Sequence, residues 1–264
     1  MLKGLKPISD NHSIKNTEAQ IFVPQSFVAI EEDFKKFQAA DFFNSFQKKG
    51  LIKPTTISIN KKGLGVEQLQ VSGYIFEKFE ENGSLKDIFR VENINNSDRS
   101  VISLSTRKYT RWKNFKEEQL ELVYLALKEL KPYINAVSFT YLDEFDWQGE
   151  SKIPVDEIFN SESELINLKF LESRNGILVL ISQGLIEGEG LITEEKIELS
   201  FNNDLRKVQI SHQFLVKFKS PFRVLEIEEA QALDKYFNIV HKGHKSFLDQ
   251  LLTDDCKELI NFKL

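Results

Sequence analysis

The chain of 264 residues has a single cysteine, Cys256, and a single methionine. A lone cysteine forms no intrachain disulfide, which fits a reducing compartment. Long apolar runs are also missing. The longest, Ile177 to Ile181, is strand-sized and far below the roughly 20 residues of a membrane helix. The opening residues, MLKGLKPISDNHS, hold no apolar stretch that would serve as a signal peptide. The expectation is a cytoplasmic protein with no membrane association.

An excess of positive charge is missing as well. The net charge of -5 argues against a dedicated nucleic-acid coat, because phosphate neutralisation favours surplus Lys and Arg. A local basic face stays open. No GxSxG, HExxH, GxGxxG or GK[ST] pattern occurs, so the sequence assigns no catalytic residue and no cofactor. Cys256 falls in an acidic C-terminal helix, which would raise its thiol pKa. His241 and His244 stand three apart on a helix, but no carboxylate completes a metal set, and they read as one packed and one surface histidine. The segment Gly184 to Glu195, GLIEGEGLITEE, is glycine-rich but acidic and reads as a hairpin connection rather than a phosphate loop.

Phenylalanine is abundant, at 22 residues against two tryptophans. Two readings follow: Phe fills core positions that Leu fills elsewhere, or its rings line an apolar pocket.

Residues 1–18 are polar and unpatterned and read as a flexible arm. A strand over 20–30 follows, then a helix over 31–49 with Phe34, Phe37, Phe42 and Phe46 at helical spacing. Extended runs at 55–60, 66–79, 85–92 and 101–109 are separated by turn signals, including Asn82-Gly83 and Asn95-Asn96. Asn114 with Glu117 reads as a capping box for the next helix. The order then recurs: a strand over 136–147, a short helical piece at 155–161, and extended runs at 165–172, 177–186, 197–201 and 208–218. Pro221 reads as the end of the last strand. A helix over 226–252 follows, and Thr253-Asp254 caps a final short one. The fold class expected is α+β: two related units, 19–135 and 136–264, each an antiparallel meander sheet packed on a long helix.

Two constellations carry chemistry. Arg107, Lys108, Tyr109, Arg111, Trp112, Lys113 and Lys116 interleave cations with aromatics. This suits phosphate contact with base stacking, or contact with an acidic partner. The same residues also fit a packed strand end with its charges in water. Asp143, Glu144 and Asp146 cluster on the 136–147 strand. There Asp143 points with the apolar set and needs a partner, so it reads as half of a structural ion pair with Arg107 or Arg111.

The order Tyr109, Trp112, Phe115, an amphipathic helix, then Phe139-Thr140-Tyr141-Leu142-Asp143 resembles a sporadically distributed family of uncharacterised prokaryotic proteins. That family carries Tyr-x-x-Trp-x-x-Phe before a helix and an Arg-Tyr-x-Asn strand after it. Its later helix, with a His, a Phe and a Thr-Asp, is similar to His241 or His244, Phe247, Thr253 and Asp254 here. Thr140 stands for the Arg and Asp143 for the Asn, so roles tied to those two side chains do not carry over. The resemblance implies no chemistry. Its patchy distribution associates it with anti-phage defence and toxin-related loci. The resulting expectation is a non-enzymatic interaction protein, an accessory or sensor subunit with a protein partner. A small-molecule binder with a Phe-lined cavity and a nucleic-acid sensor using 107–116 are the alternatives, and a homo-oligomer is open.

Overall fold

Val137, Phe139, Tyr141, Asp143 and Phe145 take alternate positions along one segment, and all are fully buried. A strand with one face against a core requires that alternation. The computed structural model describes residues 2–9, 12–60, 63–94, 97–186 and 190–262, with the backbone alone for 56–60 and 63–68.

The first half holds β1 (Leu5–Pro7), β2 (Ile14–Val23), α1 (Ile30–Ala39), β3 (Lys48–Ile52), β4 (Thr55–Asn60), β5 (Gly63–Gln68), β6 (Gly73–Phe79), β7 (Leu85–Asn93) and β8 (Ser100–Thr106). Next come α2 (Trp112–Asn114), a π-helical turn Phe115–Leu120 and α3 (Glu121–Leu130), one continuous helical rod. The second half holds β9 (Tyr133–Trp147), α4 (Val155–Ile158), α5 (Leu168–Leu171), β10 (Asn175–Ile186), β11 (Leu191–Asn202), β12 (Lys207–Arg223), α6 (Ile227–Gln231), α7 (Asp234–Leu251) and α8 (Asp254–Leu259).

The class is α+β. Ten strands form one antiparallel sheet in the order β10-β11-β12-β9-β2-β8-β7-β6-β3, with β1 on β9 as well; β4 and β5 make a separate hairpin. The two meanders therefore meet in a single sheet across the β2–β9 ladder, where Ala19 opposes Phe139 and Ile21 opposes Val137. One apolar cluster joins the inner faces of β2, β6, β7, β8 and β9 to α1, α3 and the start of α7. A second gathers Phe145, Trp147, Leu199, Val208, Ile210, Phe247 and Leu251 with the short helices. No helix among the described residues is long and apolar enough to cross a membrane.

Several elements differ from the sequence expectation. Residues 1–18 carry β1 and the first half of β2, because β9 supplies them a partner some 130 positions away. The helix expected to reach residue 49 stops at Ala39, and Ala40 is extended. A 3-10 turn, Asp41–Phe43, then drives Phe43 between Phe37, Phe76 and Phe89. Lys48 and Lys49, expected in the last helical turn, lie on edge strand β3. Asn114 caps nothing: the helix starts at Trp112, and the π turn puts Phe115 and Leu120 together in the core. The run 66–79 is split between β5 and β6. The strand expected at 165–172 is a turn and α5, whose N-cap Asn167 accepts from the Phe170 amide at 2.9 Å. Pro221 falls inside β12, at the register shift between Lys217 and Phe222, where a missing N–H is tolerated. The long helix is broken between Gln231 and Asp234. Much of Gly184–Glu195 is ladder, with Gly184 opposite Thr193 and Ile186 opposite Leu191. Asn95-Asn96 lies outside the described residues.

Phe43 is fully buried among five aromatic rings, whereas Val28 is 98% exposed. Phe43→Ala should cost about 3–5 kcal/mol and Val28→Ala close to nothing. Urea unfolding of the two variants checks this, and equal losses would contradict the packing.

Candidate functional site

Three neighbouring elements each put a polar side chain into one stretch of the core. Asp143 lies inward between Tyr141 and Phe145 on β9; His212 lies inward on β12 opposite Tyr141, one inward position from Ile210, which opposes Asp143; and His244 lies between Val240 and Phe247 on α7. Asp143 and His212 are completely buried, and His244 is 3% exposed. This polar seam separates the two apolar clusters. Gly243 lets α7 approach it: a Cβ there would lie 2.8 Å from the Phe214 ring.

The seam is hydrogen-bonded in a definite order. Ser13 Oγ donates to Asp143 Oδ1 at 2.6 Å. His212 Nδ1 and His244 Nδ1 are 3.1 Å apart, so one of them carries the proton between them. His244 Nε2 is 3.6 Å from Asp143 Oδ2, too long for a hydrogen bond. The His244 ring stacks on Tyr141 at 3.8 Å, and the Tyr141 hydroxyl meets His241 Nδ1 at 2.7 Å. His241 in turn stacks on Trp112 at 4.5 Å, and Trp112 Nε1 donates to Asn238 Oδ1. Tyr109 packs edge-on to Tyr141, and His12 lies edge-on to Tyr109. All four histidines of the chain thus gather around Tyr109, Tyr141 and Asp143.

Burial pushes Asp143 up to about 7, against the hydrogen bond from Ser13. Burial also pushes His212 down to about 4, and His241 to about 4 with help from the Lys245 charge. His244 is held well below its usual range by burial and then by the neighbouring imidazoles. Ser13 bonds the carboxylate, so its hydroxyl has no imidazole beside it as a base. Among the described residues no three His, Cys, Asp or Glu side chains converge as metal ligands.

The Asp143 partner is therefore Ser13, with His244 nearby; the expected Arg107 or Arg111 pairing is not made, because both arginines are exposed to water. Glu144 points the other way. Burial alone would raise it, but hydrogen bonds from Lys15, Lys207 and Gln209, each 2.7 Å, hold it at about 2. Asp146 lies 3.6 Å from Lys207. His241, expected at the surface, is half-buried in the seam. Burial, followed by the Asp143 charge, pushes Cys256 up to about 12, and its acidic helix is not among the causes.

The basic-aromatic block divides. Tyr109 is buried against Phe115 and Tyr141, and Trp112 stacks on Phe115 and His241. Lys116 pairs with Asp234 at 2.6 Å and Lys113 with Glu117 at 3.7 Å. Arg107, Lys108 and Arg111 are exposed, and no carboxylate among the described residues pairs with them. Trp112, Lys113 and Lys116 also edge an open groove of about 510 Å³ between the 112–130 rod and α7, with Tyr124 and Asp234 on its floor. Phe37, Phe43, Phe76 and Phe89 fill the core against each other.

No family model matches this chain, and neither a curated protein nor a solved structure is similar to it.

Sequence reading missed Ser13, His12 and His212 as members of the seam. The visible signal was His212 among the inward apolar positions of β12, the same signal that marked Asp143 on β9.

His212 and His241 titrate near 6.5 when unfolded and near 4 when native, and burial shifts His244 in the same direction. Their stabilising contribution is present above pH 6.5 and is lost as pH falls toward 4. Asp143 acts oppositely: its contribution is present below 3.8 and is lost as pH rises through about 7. The histidines outnumber it. Urea unfolding stability should therefore fall by about 1.4 kcal/mol per pH unit or more between pH ~6.5 and ~4.5. Asp143→Asn should steepen the acid loss between pH ~6.5 and ~4.5, because the wild-type carboxyl offsets part of it there. A flat acid profile would mean that the imidazoles are not buried neutral.

Proposed function

We propose that this protein is a non-enzymatic interaction subunit whose acidic partner docks on the ledge formed by Arg107, Lys108 and Arg111. The observation that carries this reading is the pairing pattern. Lys116 and Lys113 have carboxylate partners within the chain. The three ledge cations are exposed and have none among the described residues. The backbone beneath them is held by the buried Tyr109 ring and by a hydrogen bond from the Arg107 amide to the Lys86 carbonyl. A ledge already ordered loses little entropy on binding, and unpaired cations steer an acidic partner toward it.

A protein partner is favoured over single-stranded nucleic acid. Base stacking needs open aromatic faces, and here Tyr109 is buried and Trp112 is engaged with His241. The role as an accessory or sensor subunit of an anti-phage or toxin-related system rests on the family resemblance alone. We also read the chain as two related units meeting near residues 132–152. In support, each half runs outward from the centre in one order: β2-β8-β7-β6 on one side and β9-β12-β11-β10 on the other.

The test is recovery of the tagged protein from its native cells, with and without nuclease, beside the variant Arg107→Glu/Lys108→Glu/Arg111→Glu. A stoichiometric protein that survives nuclease and is lost with the variant, at unchanged melting temperature, is the expected result. Nuclease-sensitive recovery would transfer the ledge to nucleic acid, and a partner unaffected by the variant would remove the ledge from the reading.

A further inference from the structure

The two ends of the ten-stranded sheet are built differently. β3 is five residues long and carries Lys48 and Lys49; Lys48 pairs with Glu77, and Lys49 lies over the Phe76 ring. Short length and lysines are how sheet edges are kept from pairing. At the opposite edge, β10 spans twelve residues, NGILVLISQGLI, with no charged residue and no proline. Its inner side pairs with β11, and no strand among the described residues pairs with its outer side. Ile177, Val179, Ile181 and Leu185 point to the solvent face, with Ile177 and Ile181 about three-quarters exposed. An uncovered strand of this kind is an aggregation template.

We propose that β10 pairs antiparallel with β10 of a second copy, on a two-fold axis at Ile181, so that two sheets become one. Three observations on the strand select a second copy. First, the register closes on itself. With Ile181 on the axis, Ile177 opposes Leu185 and Val179 opposes Gln183, so the exposed apolar residues meet on one face. Second, the other face alternates large against small: Leu178 opposes Gly184, Leu180 opposes Ser182, and Ile186 opposes Gly176. Third, the chain carries a net charge of -5, so two copies repel over most of their surface. A strand without charge is where they approach without setting like charges opposite each other. The interface lies at the far edge of the sheet from β8 and is independent of the basic ledge.

The experiment is sedimentation velocity of the full chain over a concentration series, for the wild type, for Ile181→Lys and for the Arg107→Glu/Lys108→Glu/Arg111→Glu variant. The wild type and the ledge variant should be dimers. Ile181→Lys sets two ammonium groups face to face at the axis and should weaken dimerisation by about a hundredfold or more, with an unchanged circular dichroism spectrum. A second variant fixes the register. Ile181→Cys brings the same residue of both copies within disulfide reach and should cross-link under mild oxidation. Ile177→Cys should cross-link only when combined with Leu185→Cys. The native Cys256 is buried and contributes no cross-link. A monomeric wild type overturns the proposal, as does a dimer that survives Ile181→Lys. A dimer lost in Ile181→Lys but without the Ile181→Cys cross-link overturns the two-fold register.

Discussion

The polar seam of Asp143, His212 and His244, tied by the His212–His244 hydrogen bond and the Ser13–Asp143 hydrogen bond, fixes how the rest of the molecule is assembled. Each residue comes from a different element, and each interrupts an inward apolar series on that element. A polar atom in a low-dielectric core is costly unless it meets its partner. A slip of β12 along β9, or of α7 along the sheet, would bury these groups against hydrocarbon. Ser13 extends the same constraint to the N-terminal segment, since its hydroxyl reaches Asp143 only when β2 lies in its observed register. The seam therefore ties the two apolar clusters, the central strand pair and the principal helix to one alignment.

The seam is also why the basic-aromatic block behaves as it does. Trp112 and Tyr109 would be stacking platforms if they stood free. Here His241 and Tyr141 occupy them, and through those rings the block is fastened to the buried network. The aromatics become anchors, and the cations beside them become a fixed ledge. The carboxylate group divides similarly. Strand alternation sends Asp143 inward, where burial raises it, and Glu144 outward, where two lysines and a glutamine keep it ionised. Adjacent carboxylates thus acquire opposite electrostatic characters from the pleat alone.

Much of this was legible residue by residue. The alternation of 136–147, the apolar stripe of the 112–130 rod, the Asn82-Gly83 hairpin and the Thr253 cap are local signals, and local physics honours them. Asp143 was recognisable as an inward carboxylate because strand period is strict. Its partner was not. Ser13 lies 130 positions away, in a stretch whose composition reads as a loose arm. The capping box at Asn114 failed because Trp112 and Phe115 gain more by entering the core than Asn114 gains by capping. The helix through residue 49 failed because Phe43 has a site between Phe76 and Phe89 that a continued helix does not reach.

By itself the sequence determined the α+β class, the placing of most strands and long helices, and the absence of any run able to cross a membrane as a helix. Those properties depend on periodicity and turn chemistry over short windows, which neighbouring residues carry among themselves. Tertiary structure alone decided that the meanders fuse into one sheet, that four scattered histidines gather around two tyrosines and an aspartate, and that one edge is guarded while the other is bare. Each of these is a pairing between distant segments. Pairing energy depends on which surfaces meet, and no local pattern records the identity of the partner.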